Sequence, residues 1–225
     1  MRWQNHSSDL NFVLNESWKK MADLQWLDSY SGQTLEQLLA MTNEYRVDSL
    51  VVALEQALEQ KSARAGGESL SIEETIVLAV EALEREVNNG GYSQFFINSS
   101  CVYTPIIVDS LRRIVCPVSA NITEKAIQAA GFEGLAAGDM MKALDSYHAE
   151  FMRRNRDRFV DREASETEAL TSASSSSDTQ SRSQEESDAL EKELDAYDQF
   201  YYQSGEDIAG QLFEFVRANK HAIQL

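Results

Sequence analysis

The chain has 225 residues, 43% of them hydrophobic and 25% charged, which is long enough to bury a core and too apolar for a largely disordered protein. Lys and Arg total 20 against 37 Asp and Glu, a formal net charge of -17. That sign argues against direct binding to nucleic acid or an anionic membrane, since both repel such a surface. It points instead to a basic protein as partner.

No apolar run approaches a membrane span, and the first ten residues contain no basic segment feeding an apolar core, so a cytoplasmic location is expected. Two cysteines, Cys101 and Cys116, make no disulfide framework. With His6, His148 and His221 they also lack metal-ligand spacing, so neither metal nor cofactor is expected.

Taken in chain order, apolar residues from Leu10 to Leu27 recur at spacings of three and four and predict an N-terminal helix ending near Asp28 to Gly32. Thr34 followed by Gln37 forms a capping-box pattern. Leu35 to Leu58 then predicts helix on both sides of a break at Thr42-Asn43, and Lys61 to Glu68 reads as a loop. A second capping box, Ser71 with Glu74, opens the clearest helix, running to about Val87. Ile76, Val80, Leu83 and Val87 share its inner face, while Glu73, Glu74, Glu81 and Glu84 fall elsewhere. Asn88-Asn89-Gly90-Gly91 ends it through residues that accept a left-handed backbone.

Tyr92, Phe95 and Phe96 give one further apolar turn. Thr104-Pro105 reads as an N-cap and first helical residue, Cys116-Pro117 as a break, and Asn121 with Glu124 as the start of a short helix. After Gly131, Gly134 and Gly138 a helical pattern resumes at Met140 and ends in a basic run, Arg153 to Arg158, suited to a helix C-terminus. Residues 161–187 are Ser, Thr and Glu with almost no apolar side chains and predict a flexible insertion. Helices return from Asp188, through Leu190, Leu194 and Tyr197, and again at Ile208, Leu212 and Val216. No alternating strand pattern occurs. The predicted fold is all-α: a single irregular helical domain at 68–225, interrupted at 161–187, with an N-terminal helical segment at 1–67 packed on it.

Evidence for catalysis is thin. Gly90-Gly91 lacks the further glycine and Lys-Ser/Thr of a phosphate loop, no base or acid is placed beside Ser99, Ser100 or Cys101, and no carboxylate pair stands out for glycosidic chemistry. No catalytic residue is assigned. Asn89, Gln94 and Asn98 are an amide cluster beside aromatics. They suit either helix capping or a small polar ligand, and the ligand reading is the alternative to an interaction protein. Glu81, Glu84 and Glu86 read as the solvated side of their helix.

The stretch Glu84-Arg85-Glu86-Val87-Asn88-Asn89-Gly90-Gly91-Tyr92-Ser93-Gln94-Phe95-Phe96-Ile97-Asn98-Ser99-Ser100 resembles the hallmark of a bacterial domain family whose characterised member is a DNA mimic. The resemblance covers about Glu68 to Phe159 and resumes from Tyr197 to Val216. It implies a helical, dimeric protein that presents carboxylates to a DNA-binding transcription factor in competition with DNA. Asn89, Gly90, Gly91, Gln94, Phe95, Asn98 and Ser99 match the motif, which the resemblance assigns to the fold rather than to the mimic surface. Cys101, where a glycine often follows, and the Ser-rich insertion depart from the pattern. Independently of that resemblance, two acidic faces are candidates for the interaction: Glu73, Glu74, Glu81 and Glu84 on one helix, and Asp188, Glu191, Asp195 and Asp198 on another.

Overall fold

A computed structural model describes residues 24–65, 70–164 and 184–225. Regular structure among them is helical, apart from one isolated parallel bridge between Gln25 and Tyr45. Eight α-helices follow in order: α1 (Leu35–Ala40), α2 (Val47–Ala65), α3 (Ile72–Ile97), α4 (Thr104–Arg113), α5 (Pro117–Ala129), α6 (Ala137–Ala164), α7 (Gln184–Tyr202) and α8 (Ile208–Ala218). The all-α expectation holds.

The capping boxes form as their spacing predicts. Thr34 Oγ1 accepts from Gln37 N and Gln37 Oε1 accepts from Thr34 N, so α1 begins with two backbone donors satisfied. Ser71 and Glu74 do the same for α3 at 3.1 and 2.9 Å. The break after α1 is a 3-10 turn, Met41–Asn43.

Other boundaries differ from the sequence reading. Leu24 to Leu27 are not helical, because Gln25 exchanges backbone hydrogen bonds with Glu44 and Arg46 instead; the remainder of that predicted helix lies outside the described residues. Helix α2 runs to Ala65 rather than ending near Lys61, since no glycine interrupts it before Gly66. Helix α4 starts at Thr104 itself, with Pro105 just inside it, and α5 starts at Pro117 rather than Asn121. Glu206 permits that early start by accepting from Val118 N and Ser119 N at 2.9 and 2.7 Å, two of the donors a helix start leaves orphaned. Helix α6 reaches Ala164 and α7 begins at Gln184, so both enter the span read as an insertion. Residues 165–183 lie outside the described residues.

The chain divides into two compact units: Asp207–Leu225 with the described part of Met1–Glu81, and Ala82–Glu206. In the first, α2 packs on α1 and α8. Leu50, Leu54, Leu58, Leu212, Phe213 and Val216 are buried there. Lys61 Nζ bonds both oxygens of Glu74 at 2.7 and 2.9 Å, and Glu74 also accepts from Gln224 N at 2.7 Å, so one buried carboxylate ties α2, α3 and the last residues together. In the second unit, α5 packs on α4 and α7. Its aromatic core joins Tyr92, Phe96, Phe132 and Tyr147 through ring contacts of 5.3 to 6.3 Å.

Candidate functional site

The glycine pair in α3 does more than stop a helix. Gly90 (φ -161, ψ 22) and Gly91 (φ 77, ψ -176) leave helical geometry and helix resumes at once, so the expected terminus is a kink. The kink frees backbone groups that need partners. Tyr92 N is satisfied from a residue 106 positions on, donating to Asp198 Oδ1 of α7 at 2.8 Å. Position 91 admits only glycine for two reasons. Its φ is in the left-handed region, and a methyl group there would overlap the Asp198 carboxylate.

The kink also folds the motif back over Glu86. This carboxylate accepts from Gln94 Nε2 at 2.8 Å, Asn98 Nδ2 at 2.7 Å and Ser100 Oγ at 2.8 Å. Glu86 is only 7% exposed. Burial alone would raise its pKa, but the three donors and the nearby Arg85 outweigh it and hold the carboxyl below its ordinary range. The amides of the motif are thus committed to an internal anion.

Helix α7 is fastened beside the kink by further bonds. Tyr201 OH donates to Glu84 Oε1 and Tyr202 OH to the Val87 carbonyl, each at 2.5 Å. Burial pushes the Glu84 carboxyl up, opposed by the Tyr201 bond, and it pushes Asp198 up, opposed by the Tyr92 N–H. Tyr92 OH meets Thr123 Oγ1 at 2.8 Å; since Thr123 donates to the Ser119 carbonyl, Tyr92 is the donor in this pair. A chain of buried hydrogen bonds therefore links α3, α5 and α7.

A family model described as DMP19-like protein matches residues 68–219, more than half of the chain. The chain belongs to the DMP19-like family. The match begins just before α3 and ends just after α8, taking in the kink, the Glu86 cluster and α7. Comparisons with curated proteins and with solved structures returned no match.

In this DMP19-like chain the motif residues divide by environment. Gly91 and Phe95 are buried, Gln94 is half-buried, and Asn89, Asn98 and Ser99 lie at the surface. The acids read as two outward faces divide as well. Glu74 and Glu81 are buried, Glu84 is half-buried against Tyr201, and Glu73 is half-buried, so the α3 acids do not form a solvated face. Glu86, read with them as solvated, is buried too. On α7, Asp198 turns inward to the kink, while Asp188 and Asp195 are exposed and Glu191 is half-buried. Arg154 of α6 bonds Asp188 and Glu191 at 3.1 Å each. Glu185, Glu186 and Glu193 are exposed as well, beside a single base of that helix, Lys192.

The sequence reading missed Glu86 as the centre of the motif, and it missed Glu206 as the cap of α5. The signal for Glu86 was a helix-borne acid just ahead of an amide-rich turn. Among the described residues, no group of three or more His, Cys, Asp or Glu could hold a metal ion. No described helix is long and apolar enough to cross a membrane.

Proposed function

We propose that this protein is a non-enzymatic acidic interaction module that presents carboxylates to a basic DNA-binding protein and competes with DNA for it. The observation that carries this reading is the outward face of α7. Glu185, Glu186, Asp188, Glu193 and Asp195 are exposed there on one rigid element. Membership of the DMP19-like family is compatible with it.

Physical scale supports the reading. Asp188 and Asp195 are seven residues apart, about 10 Å at the helical rise of about 1.5 Å per residue. That is close to three steps of a DNA strand, which advances about 3.4 Å per phosphate. A fixed row of negative charge on a net charge of -17 steers a basic surface and accelerates encounter at low salt.

The test begins with immobilised protein and a lysate of the source cell. A retained DNA-binding protein should elute with excess duplex, and its gel-shift complex with DNA should dissolve when this protein is added. The combined variant Glu185→Gln, Glu193→Gln, Asp195→Asn should lose both effects while melting as the parent does. Retention of no DNA-binding protein, or retention that duplex leaves unchanged, would sink the reading.

The ligand-binding alternative gains no support from the motif. Gln94 and Asn98 bond Glu86, and a cavity of about 360 Å³ lies instead in the first unit, against Thr42, Val47, Phe213 and Arg217.

A further inference from the structure

We propose that one flank of α7, formed by Glu193, Tyr197 and Phe200, recognises an arginine-bearing segment of the partner, with the planar guanidinium rather than positive charge in general as the preferred group. This inference rests on the acidic-module reading and adds the chemistry of what is bound.

Residues seven apart on a helix lie on nearly the same stripe, two turns along. One such stripe on α7 is Glu186, Glu193 and Phe200, with Tyr197 beside it. Phe200 is 56% exposed although Leu190, Leu194 and Tyr201 of the same helix supply its buried side. The Phe200 ring lies 6.4 Å from the Tyr197 ring, tilted by 55°. Tyr197 OH donates to Glu193 Oε1 at 3.2 Å, which holds the carboxylate next to the aromatic pair. Carboxylate, phenol and open ring therefore follow one another along two turns.

On the parallel stripe of Asp188, Asp195 and Tyr202, the two end residues are tied internally. Asp188 bonds Arg154, and Tyr202 OH bonds the Val87 carbonyl. Among the described residues, the Glu193 flank is the one whose outer ring, Phe200, has no such tie.

Charge complementarity selects the occupant. The surrounding Glu185, Glu186 and Asp195 are exposed, so a second copy would bring like charges onto like, and an uncharged apolar segment would gain nothing from them. A cation gains from the acids and from the ring face, whose quadrupole is negative. Arginine gains more than lysine: its guanidinium is flat, weakly hydrated and able to stack on the ring while bonding a carboxylate, whereas an ammonium is a compact, strongly hydrated point charge.

The experiment uses the full chain and two fluorescent peptides of equal charge, octa-arginine and octa-lysine, titrated at near-physiological salt and followed by anisotropy. Octa-arginine should bind about three- to tenfold more tightly, the scale of a partly desolvated cation–π contact. Phe200→Ala should erase that preference and leave octa-lysine affinity unchanged, and Phe200→Tyr should keep it. Circular dichroism melts establish that the variants fold. Equal affinity for the two peptides, or an arginine preference that survives Phe200→Ala, overturns this inference and leaves the acidic-module reading standing. Binding of neither peptide overturns both. A dimer seen by sedimentation that Phe200→Ala dissociates would assign the flank to a second copy and also overturn it.

Discussion

Glu86 is a buried anion held by three neutral donors, and that arrangement makes its worth depend on pH. Its folded pKa lies below the ordinary carboxylate value of about 4.3 because the donors outweigh the cost of burial. The stabilisation is therefore present above about pH 4 and lost as pH falls through the lower folded value. Glu86→Gln should cost about 1.5 to 3 kcal/mol at pH 7, the range for bonds to a charged group. The gap to the parent should narrow below about pH 4 in urea titrations across pH. Glu84 has the opposite sign, since burial raises it. Its charge opposes folding as pH rises above the ordinary carboxylate range, so Glu84→Gln should flatten that decline. Gly91→Ala should cost about 2 kcal/mol or more, from a left-handed backbone and the collision with Asp198. In an Asp198→Ala background only the backbone share should remain, and a double-mutant cycle by chemical denaturation reads the coupling. The glycine pair was legible because residue types alone mark a left-handed turn. The role of Glu86 was not, because Gln94, Asn98 and Ser100 stand 8, 12 and 14 positions away and meet it only across the kink.

At the scale of elements, the ends of α4 and α5 are built alike from unlike residues. Each closes with a Schellman pattern: Cys116 N donates to the Leu111 carbonyl after α4, and Phe132 N to the Ile127 carbonyl after α5. The left-handed position after α5 is Gly131 at φ 83, as the motif prefers, but after α4 it is Val115 at φ 65. A β-branched residue is strained there, and Val115 is 69% exposed, so its side chain recovers little through burial. Val115→Gly should stabilise the protein by about 1 kcal/mol, the left-handed penalty less the greater unfolded-state freedom of glycine, read as a higher urea midpoint at unchanged slope. Both capping boxes were legible since their partners lie three residues apart. The start of α5 was not, because the carboxylate that caps it, Glu206, is 87 and 88 positions from the amides it receives.

At the scale of the whole molecule, the net charge of -17 conceals an uneven use of acids. Some are internal joints, Glu74, Glu86 and Asp198 among them, and others line the outside of α7. Composition could not separate the two classes, because both are acids on amphipathic helices and only the long-range partners distinguish them. Removing a joint should act on stability. Lys61→Met leaves Glu74, 1% exposed, without its counter-charge and should cost about 3 to 5 kcal/mol, with hydrogen-exchange protection falling first in α2 and α8. Neutralising the outside acids should leave melting unchanged and flatten the salt dependence of partner binding.

The boundary between the two compact units falls within α3, and the first unit reclaims the chain only at Asp207. During synthesis the ribosome therefore completes every residue of the second unit before the first has α8 to close on. Until Gln224 emerges, Glu74 lacks one of its amide donors. The second unit is one continuous stretch of chain, whereas the first waits for a segment made after it. Synthesis paused between α7 and α8 would therefore leave the first unit without the helix on which α2 packs.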